Sequence, residues 1–169
     1  VLQQERRQIS KIFLSDQKRT LELQRIRRLG ESRGIPVVNV QPEELVRLVG
    51  HGSHQGVMAL VEAYAYQAWD DVVAKLVAGS GPQTVLALDG VTDVGNFAAL
   101  IRSGVAFGSH TVIVPRHSSV GLTPTVAKYS AGALEKIALV QVVNLVRALD
   151  DLKRHGFWVY GADMQATQS

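Results

Sequence analysis

The sequence predicts an α/β protein of two domains, the second built around a mostly parallel sheet. Short apolar runs typical of strands alternate with segments typical of helices along the whole chain. Four such runs begin near residues 85, 111, 137 and 157, and the helical segments between them predict right-handed parallel crossovers. A stretch containing AGSGPQ interrupts the pattern, so we expect domains at 1–66 and 84–169 with a linker at 67–83.

The first domain is predicted as a small alternating module. Leu23, Ile26 and Leu29 recur at three-residue spacing among charged residues, which indicates an amphipathic helix. Pro42 suits the first turn of a second helix. The predicted elements are a strand at 9–14, a helix at 17–33, a strand at 35–40, a helix at 42–49 and a strand at 57–61.

The second domain is predicted from capping residues and buried strands. Asn96 is expected to cap a helix that Gly108 ends, Thr123 to cap a helix opened by Pro124, and Asn144 to cap a helix stopped by Gly156. The predicted strands are 85–88, 111–114, 137–140 and 157–160, with a short helix at 68–77 before them.

Charge is unevenly placed along the chain. Residues 1–66 hold ten Lys and Arg against seven Asp and Glu, whereas the remainder is balanced at eight against eight. The predicted basic helix face carries Arg19, Arg25, Arg27, Arg28 and Arg33. Such a face is either solvated or in contact with phosphates, and the excess weakly favours a polyanionic partner.

Several classes of protein are disfavoured by what the sequence contains. There is no cysteine and no segment apolar enough to cross a membrane, so we expect a cytoplasmic protein without disulfides. The loop DGVTDVGN has neither dinucleotide-fold nor phosphate-loop spacing. His51 and His54 have no carboxylate or cysteine beside them, so no metal site is predicted.

Arg102 is a lone cation in an apolar helical segment. It follows Asn96 by six residues, after the polar loop that ends the strand at 85–88. One interpretation is an ion pair with Asp89 or Asp93. The other is a grip on a phosphate, which a guanidinium makes with two hydrogen bonds. The residues themselves leave both open.

Longer stretches resemble a known family. LDGVTDVGNFAALIRSGVAFGSHTVIVP, SSVGLTPTVAKYSAGALEKI and NLVRALDDLKRHGFWVYGAD are similar to the SpoU–TrmH family of ribose 2′-O-methyltransferases, within the SPOUT superfamily. RRQISKIFLSD and HQGVMALV resemble that family's small RNA-binding domain, which is similar to certain ribosomal proteins. The resemblance covers nearly the whole chain and is greatest for the branch that methylates a guanosine in 23S rRNA.

The resemblance implies a function and a set of site residues. It implies S-adenosylmethionine as methyl donor, ribosomal RNA as substrate and a homodimer formed through the second domain. Arg102 and Asn96 correspond to the family's catalytic positions, and Arg25, Arg28 and Arg102 are the candidate RNA contacts. Gly161 and Ala162 are the candidate cofactor contacts.

The chain also departs from the family pattern. Asp93-Val94-Gly95 replaces an Asp-Pro sequence, and Ala98 replaces a glycine, where a β-carbon is expected to approach substrate or a neighbouring chain. The family's second and third motifs, which complete the cofactor pocket and a trefoil knot, are not found before Ser169, so we expect the methyltransferase domain to be incomplete. The competing hypotheses are a non-catalytic RNA-binding or ribosome-assembly protein and an unrelated nucleotide-binding protein.

Overall fold

The computed structural model describes residues 7–50 and 54–163, which form two compact units. Unit 1 is Val1–Tyr64 and unit 2 is Ala65–Ser169. The chain is mixed α/β, as predicted, with a parallel sheet in unit 2. Within the described residues, no helix combines the length and the apolar character needed to cross a membrane.

Unit 1 is a three-stranded sheet with helices packed on it. Its elements are β1 (Ile9–Ser15), α1 (Leu21–Ser32), β2 (Val37–Val40), α2 (Pro42–Val49) and β3 (Val57–Val61). The order is β2-β1-β3, with β2 parallel and β3 antiparallel to β1. The predicted bounds of α2 and β3 are confirmed, and α1 begins four residues later than predicted because Thr20 caps it.

Close packing of α1 on the sheet depends on Gly30. The core of unit 1 contains Ile12, Leu14 and Leu23. A β-carbon at position 30 would lie 2.9 Å from Ile12 Cδ1 and 2.9 Å from Val37 Cγ2, closer than ordinary van der Waals contact. The glycine therefore sets how near the helix approaches β1 and β2.

Unit 2 is a parallel sheet covered by helices. Its elements are α3 (Trp69–Ala78), β4 (Val85–Ala87), α4 (Val94–Ala106), β5 (Thr111–Pro115), α5 (Pro124–Tyr129), a 3-10 helix (Ala133–Lys136), β6 (Ala138–Val142) and α6 (Leu145–Arg154). The strands lie in the order β4-β5-β6. The middle strand is buried from Thr111 to Val114, as expected for a strand covered on both faces.

The segment before β4 belongs to unit 2. Gln67 forms a parallel bridge with Val140, and its N–H donates to the Leu139 carbonyl at 2.8 Å. Val72 and Leu76 of α3 are part of the unit 2 core. The region 67–83, assigned to a linker from its composition, thus contains a helix whose apolar face is buried in the second unit.

The predicted strand at 157–160 is wrong for the described residues. Phe157 packs against the core of unit 2, whereas Trp158 and Tyr160 are exposed and pair with no described strand. The aromatic and β-branched composition expresses only a local preference. A strand also needs a neighbouring backbone to receive its hydrogen bonds.

Candidate functional site

An open groove runs along α4 and the loop that precedes it. Its volume is about 540 Å³. Helix residues one turn apart form one wall, and the loop after β4 forms the other. The lining residues are Gly90, Val91, Thr92, Asp93, Asn96, Ala99, Leu100 and Ser103. The groove therefore lies near the carboxyl end of β4, where open α/β sheets commonly bind ligands.

The helix begins with Asp93 rather than Asn96. The Asn96 backbone N–H donates to Asp93 Oδ1 at 2.7 Å, and helical conformation starts at Val94. The expectation that Asn96 caps α4 is therefore wrong. Both residue types are good caps, and they stand three residues apart, so local preference does not choose between them. The Asn96 side chain is consequently free to face the groove.

One face of α4 is buried inside unit 2. Phe97, Ala98 and Ile101 are buried, and the helix packs against α5 and the 3-10 helix. Ala98 is only 1% exposed, so its β-carbon faces the unit's own core. The expectation that it approaches substrate or a neighbouring chain is therefore not met in the described unit.

Arg102 projects from an exposed position on the flank of α4. Within residues 7–50 and 54–163, its guanidinium has no hydrogen bond or salt bridge, including none to Asp89 or Asp93. The ion-pair interpretation is thus absent from this structure. Six residues of α-helix rotate by about 600°, so Arg102 and Asn96 start about 120° apart around the axis. Of these two residues, only Asn96 lines the groove.

The two candidate cofactor residues lie after α6. Gly161 and Ala162 are exposed, and a β-carbon built on Gly161 would meet no atom within 4 Å. The open backbone is compatible with close approach of a cofactor. Neither residue is among those that line the α4 groove.

The candidate RNA contacts of unit 1 lie on the outer face of α1. Arg25 and Arg28 are exposed and three residues apart, opposite the buried Leu23. Arg27 differs because it donates a short hydrogen bond to Asn39 Oδ1 and lies 3.7 Å from Glu31. Arg25 and Arg28 therefore present their charge outward, whereas Arg27 is partly neutralised.

Histidine and carboxylate groups form no metal cluster in the part of the chain that the structure describes. His54 Nδ1 accepts the Gly56 backbone N–H at 3.1 Å, so this side chain is hydrogen-bonded within its own turn. His51 lies outside the described residues.

Comparison with known proteins assigns both units. Residues 83–169 match the model of the SpoU rRNA Methylase family, and residues 1–67 match that of an RNA 2′-O ribose methyltransferase substrate-binding domain. The chain belongs to the SpoU rRNA methylase family. The predicted resemblance is confirmed at the level of the family.

Individual relatives agree with this SpoU-family assignment. YacO of Bacillus subtilis, named as a TrmH-family tRNA/rRNA methyltransferase, is 35% identical over 162 residues, covering 96% of this chain and 65% of YacO. The chain thus spans slightly less than two thirds of that relative.

Solved structures share the fold of the SpoU-family chain. A TrmH-family RNA methyltransferase from Porphyromonas gingivalis has a TM-score of 0.66 at 20% identity, covering 92% of this chain and 55% of its own. An AdoMet-bound rRNA methyltransferase from Sinorhizobium meliloti has a TM-score of 0.64 at 18% identity, covering 89% and 51%.

The α4 groove also contains residues that were not predicted from the sequence. Ala99, Leu100 and Ser103 line it beside Asn96. A signal was present, because these positions follow Asn96 by three, four and seven residues and therefore share its helix face. Because these side chains are small or apolar, the sequence did not identify them as part of a ligand-binding face.

Proposed function

We propose that the full-length protein transfers a methyl group from S-adenosylmethionine to a ribose 2′-hydroxyl in RNA. Family membership and the names of the relatives support this reaction class. The finer target, a guanosine of 23S rRNA, rests on the sequence resemblance. The observation that carries the proposal is Arg102, an exposed guanidinium without a protein partner in the described residues, on the helix that forms the groove.

The chemistry suits such an arginine. A ribose hydroxyl is a weak nucleophile, so the protein must position it in line and ease loss of its proton. Bound S-adenosylmethionine would supply an electrophilic methyl group on its sulfonium, with S-adenosylhomocysteine as the leaving thioether and the hydroxyl proton released to solvent water. Arg102 grips the phosphate next to the target ribose with two hydrogen bonds and stabilises the developing alkoxide by its charge.

Other residues have supporting roles in this proposal. Asn96 faces the groove and holds the substrate through its amide. The backbone of Gly161 and Ala162 contacts the cofactor. The family's second and third motifs are expected to supply the rest of the cofactor pocket and to form the knot. Arg25 and Arg28 contact phosphates of the ribosomal RNA.

The assembly and location are part of the same proposal. We infer a homodimer formed through unit 2, in which Arg102 works beside the partner subunit's cofactor. A cytoplasmic location follows from the proposed ribosomal RNA substrate.

Arg102→Ala in the full-length protein tests the proposal. Alanine is the best helix former, so α4 should persist while methyl transfer to ribosomal RNA falls by about 10² or more. Arg102→Lys should restore little activity, because an ammonium cannot make the planar two-point contact. Lys75→Ala removes an exposed cation from α3 and should leave transfer unchanged.

Single-turnover transfer and thermal melts on the same preparations separate the outcomes. An Arg102→Ala protein that melts early yet keeps its activity per folded molecule would make the arginine structural. A wild-type protein that binds RNA without transferring a methyl group would favour the non-catalytic RNA-binding protein.

A further inference from the structure

Two further arginines lie where β5 and β6 end. Arg116 directly follows β5, and its backbone N–H donates to the Val142 carbonyl at 2.7 Å. Arg147 lies in the first turn of α6, two residues beyond the Leu145 that begins the helix. Both side chains are exposed. These cations therefore share one edge of the sheet although they come from different loops.

The loop that carries Arg116 is held at several points. Besides the bond to Val142, Ser119 Oγ donates to the Pro115 carbonyl at 2.6 Å. The Val120 N–H donates to the Val91 carbonyl at 3.1 Å, which joins this loop to the one that lines the α4 groove. The backbone under Arg116 is thus fixed relative to the groove, so a ligand pays little to order it.

Arg147 is held equally well and is not neutralised. Its N–H donates to the Asn144 Oδ1 cap at 2.9 Å. The carboxylates three and four residues along α6 are engaged elsewhere, Asp150 with Lys153 at 3.4 Å and Asp151 with Arg154 at 3.1 Å. Within the described ranges 7–50 and 54–163, neither Arg116 nor Arg147 has a side-chain partner.

The surface around these cations is apolar and exposed. Val143, 76% exposed, follows the Val142 that accepts the Arg116 N–H, and Val146, 69% exposed, directly precedes Arg147. The N-terminus of α6 adds a partial positive charge there. A compact anion would use the charges only. A nucleic acid strand presents phosphates together with bases that can rest on apolar side chains, and it fits both features.

We propose that Arg116 and Arg147 form an RNA-backbone contact on unit 2 that is separate from Arg102. The two guanidinium groups contact phosphates of a single strand that passes the carboxyl edge of the sheet beside the α4 groove. This inference rests on the proposed RNA-modifying function and names the path of the substrate beside the site.

The test compares salt dependence of RNA binding in charge-matched variants. Arg116→Gln, Arg147→Gln and their double variant would be titrated with labelled single-stranded oligouridine at several salt concentrations, using the full-length protein. Each lost contact should reduce the slope of log affinity against log salt by about 0.7. Arg154→Gln removes the same charge at the other end of α6, where Arg154 is already paired, and should leave the slope unchanged.

The outcomes assign any failure to the inference or to the proposed function. Thermal melts must first match the wild type. A double variant with the wild-type slope, or an equal loss in Arg154→Gln, overturns the inference. Wild-type binding that ignores salt overturns it together with the proposed RNA partner. Variants that lose slope in a protein without methyl transfer support the contact and contradict the proposed catalysis.

Discussion

Trp69 and Asp151 form a polar contact between α3 and α6. The indole N–H donates to Asp151 Oδ2 at 3.0 Å. This bond, and then the one from Arg154, hold the pKa of Asp151 below its ordinary value of 3.8. The folded state binds the proton of Asp151 less well than the unfolded state does. The contact therefore stabilises the fold fully at pH values above the ordinary pKa of 3.8. The stabilisation is lost as pH falls through the lowered folded pKa.

Trp69→Phe should therefore raise the pKa of Asp151 toward 3.8, since the main donor to the carboxylate is removed. The variant should also lose part of the acid-dependent change in stability. Carbon-13 NMR titration of the carboxyl group measures the pKa. Trp158→Phe removes an exposed indole instead and should have no effect. An Asp151 pKa that is identical in both variants would contradict the assigned cause.

The outer face of α1 offers a test of the RNA-binding role of unit 1. Arg25→Gln with Arg28→Gln should reduce the salt slope of ribosomal RNA binding by about 0.7 for each lost phosphate contact. Arg27→Gln is the matched control, because Arg27 is already bonded to Asn39 and near Glu31. Filter binding at several salt concentrations measures the slope. If Arg27→Gln reduces the salt slope as much per removed charge as the pair does, RNA binding depends on the overall charge of α1 rather than on its outer face.

Residue-scale prediction succeeded where one chemical preference acted without competition. Thr123 and Asn144 cap their helices as expected, with backbone N–H groups donating to them at 3.2 Å and 2.9 Å. Gly108 has the expected left-handed conformation, with φ of 82°. The prediction that Asn96 caps α4 was wrong because Asp93 is an equally suitable cap, and nothing in the sequence ranks the two residues.

At the scale of the element, Gly30 shows how a helix is fitted to a sheet. The new methyl group of Gly30→Ala would overlap Ile12 and Val37, at a cost of about 1–3 kcal/mol. The gain of about 1 kcal/mol in helix propensity offsets part of that cost, so we expect unit 1 to be destabilised by up to about 2 kcal/mol. Gly121→Ala adds the same group in open space and should be neutral or slightly stabilising. Urea unfolding followed by circular dichroism compares them, and a Gly30→Ala protein as stable as the control would refute the overlap.

Elements were predictable where hydrophobic period and end signals agreed. For α2, Pro42 at the start and Gly50 beyond the end bound a periodic segment, and the structure has those bounds. The 3-10 helix Ala133–Lys136 was not predicted, because four residues carry no measurable period. Strand pairing at 157–160 could not be inferred, since composition does not identify the partner backbone.

At the scale of the whole molecule, the groove face of α4 also carries exposed apolar side chains. Leu100, which lines the groove, is 36% exposed, and Phe107 just beyond the helix is 86% exposed. Under the proposed homodimer, Leu100→Asp with Phe107→Asp should give a monomer, because buried carboxylates would lack partners at the interface. Light scattering measures the mass. Leu21→Asp places a carboxylate on unit 1 instead and should leave the dimer intact. A monomeric wild-type protein would contradict the proposed homodimer.

The candidate site was partly predictable at this scale. The sequence located the loop after β4 and the helix that carries Arg102, because polar residues at a strand end are visible locally. The six-residue spacing already places Arg102 and Asn96 about 120° apart on a helix, but the sequence did not show which of them lines the groove, or that Ala98 is buried. Those facts depend on which helix face meets the sheet, and packing of distant segments decides that.

The bridge from Gln67 to Val140 has a consequence for self-association. An unpaired outer strand offers its N–H and C=O groups to any extended chain that meets it, which is a common start of aggregation. Gln67 occupies part of the outer side of β6, and Trp69 is packed into the core immediately after it. Inserting or deleting a residue between Tyr64 and Trp69 would shift this pairing and uncover that side. The length of the short connection therefore affects how much of this outer side is open to pairing with another copy of the protein.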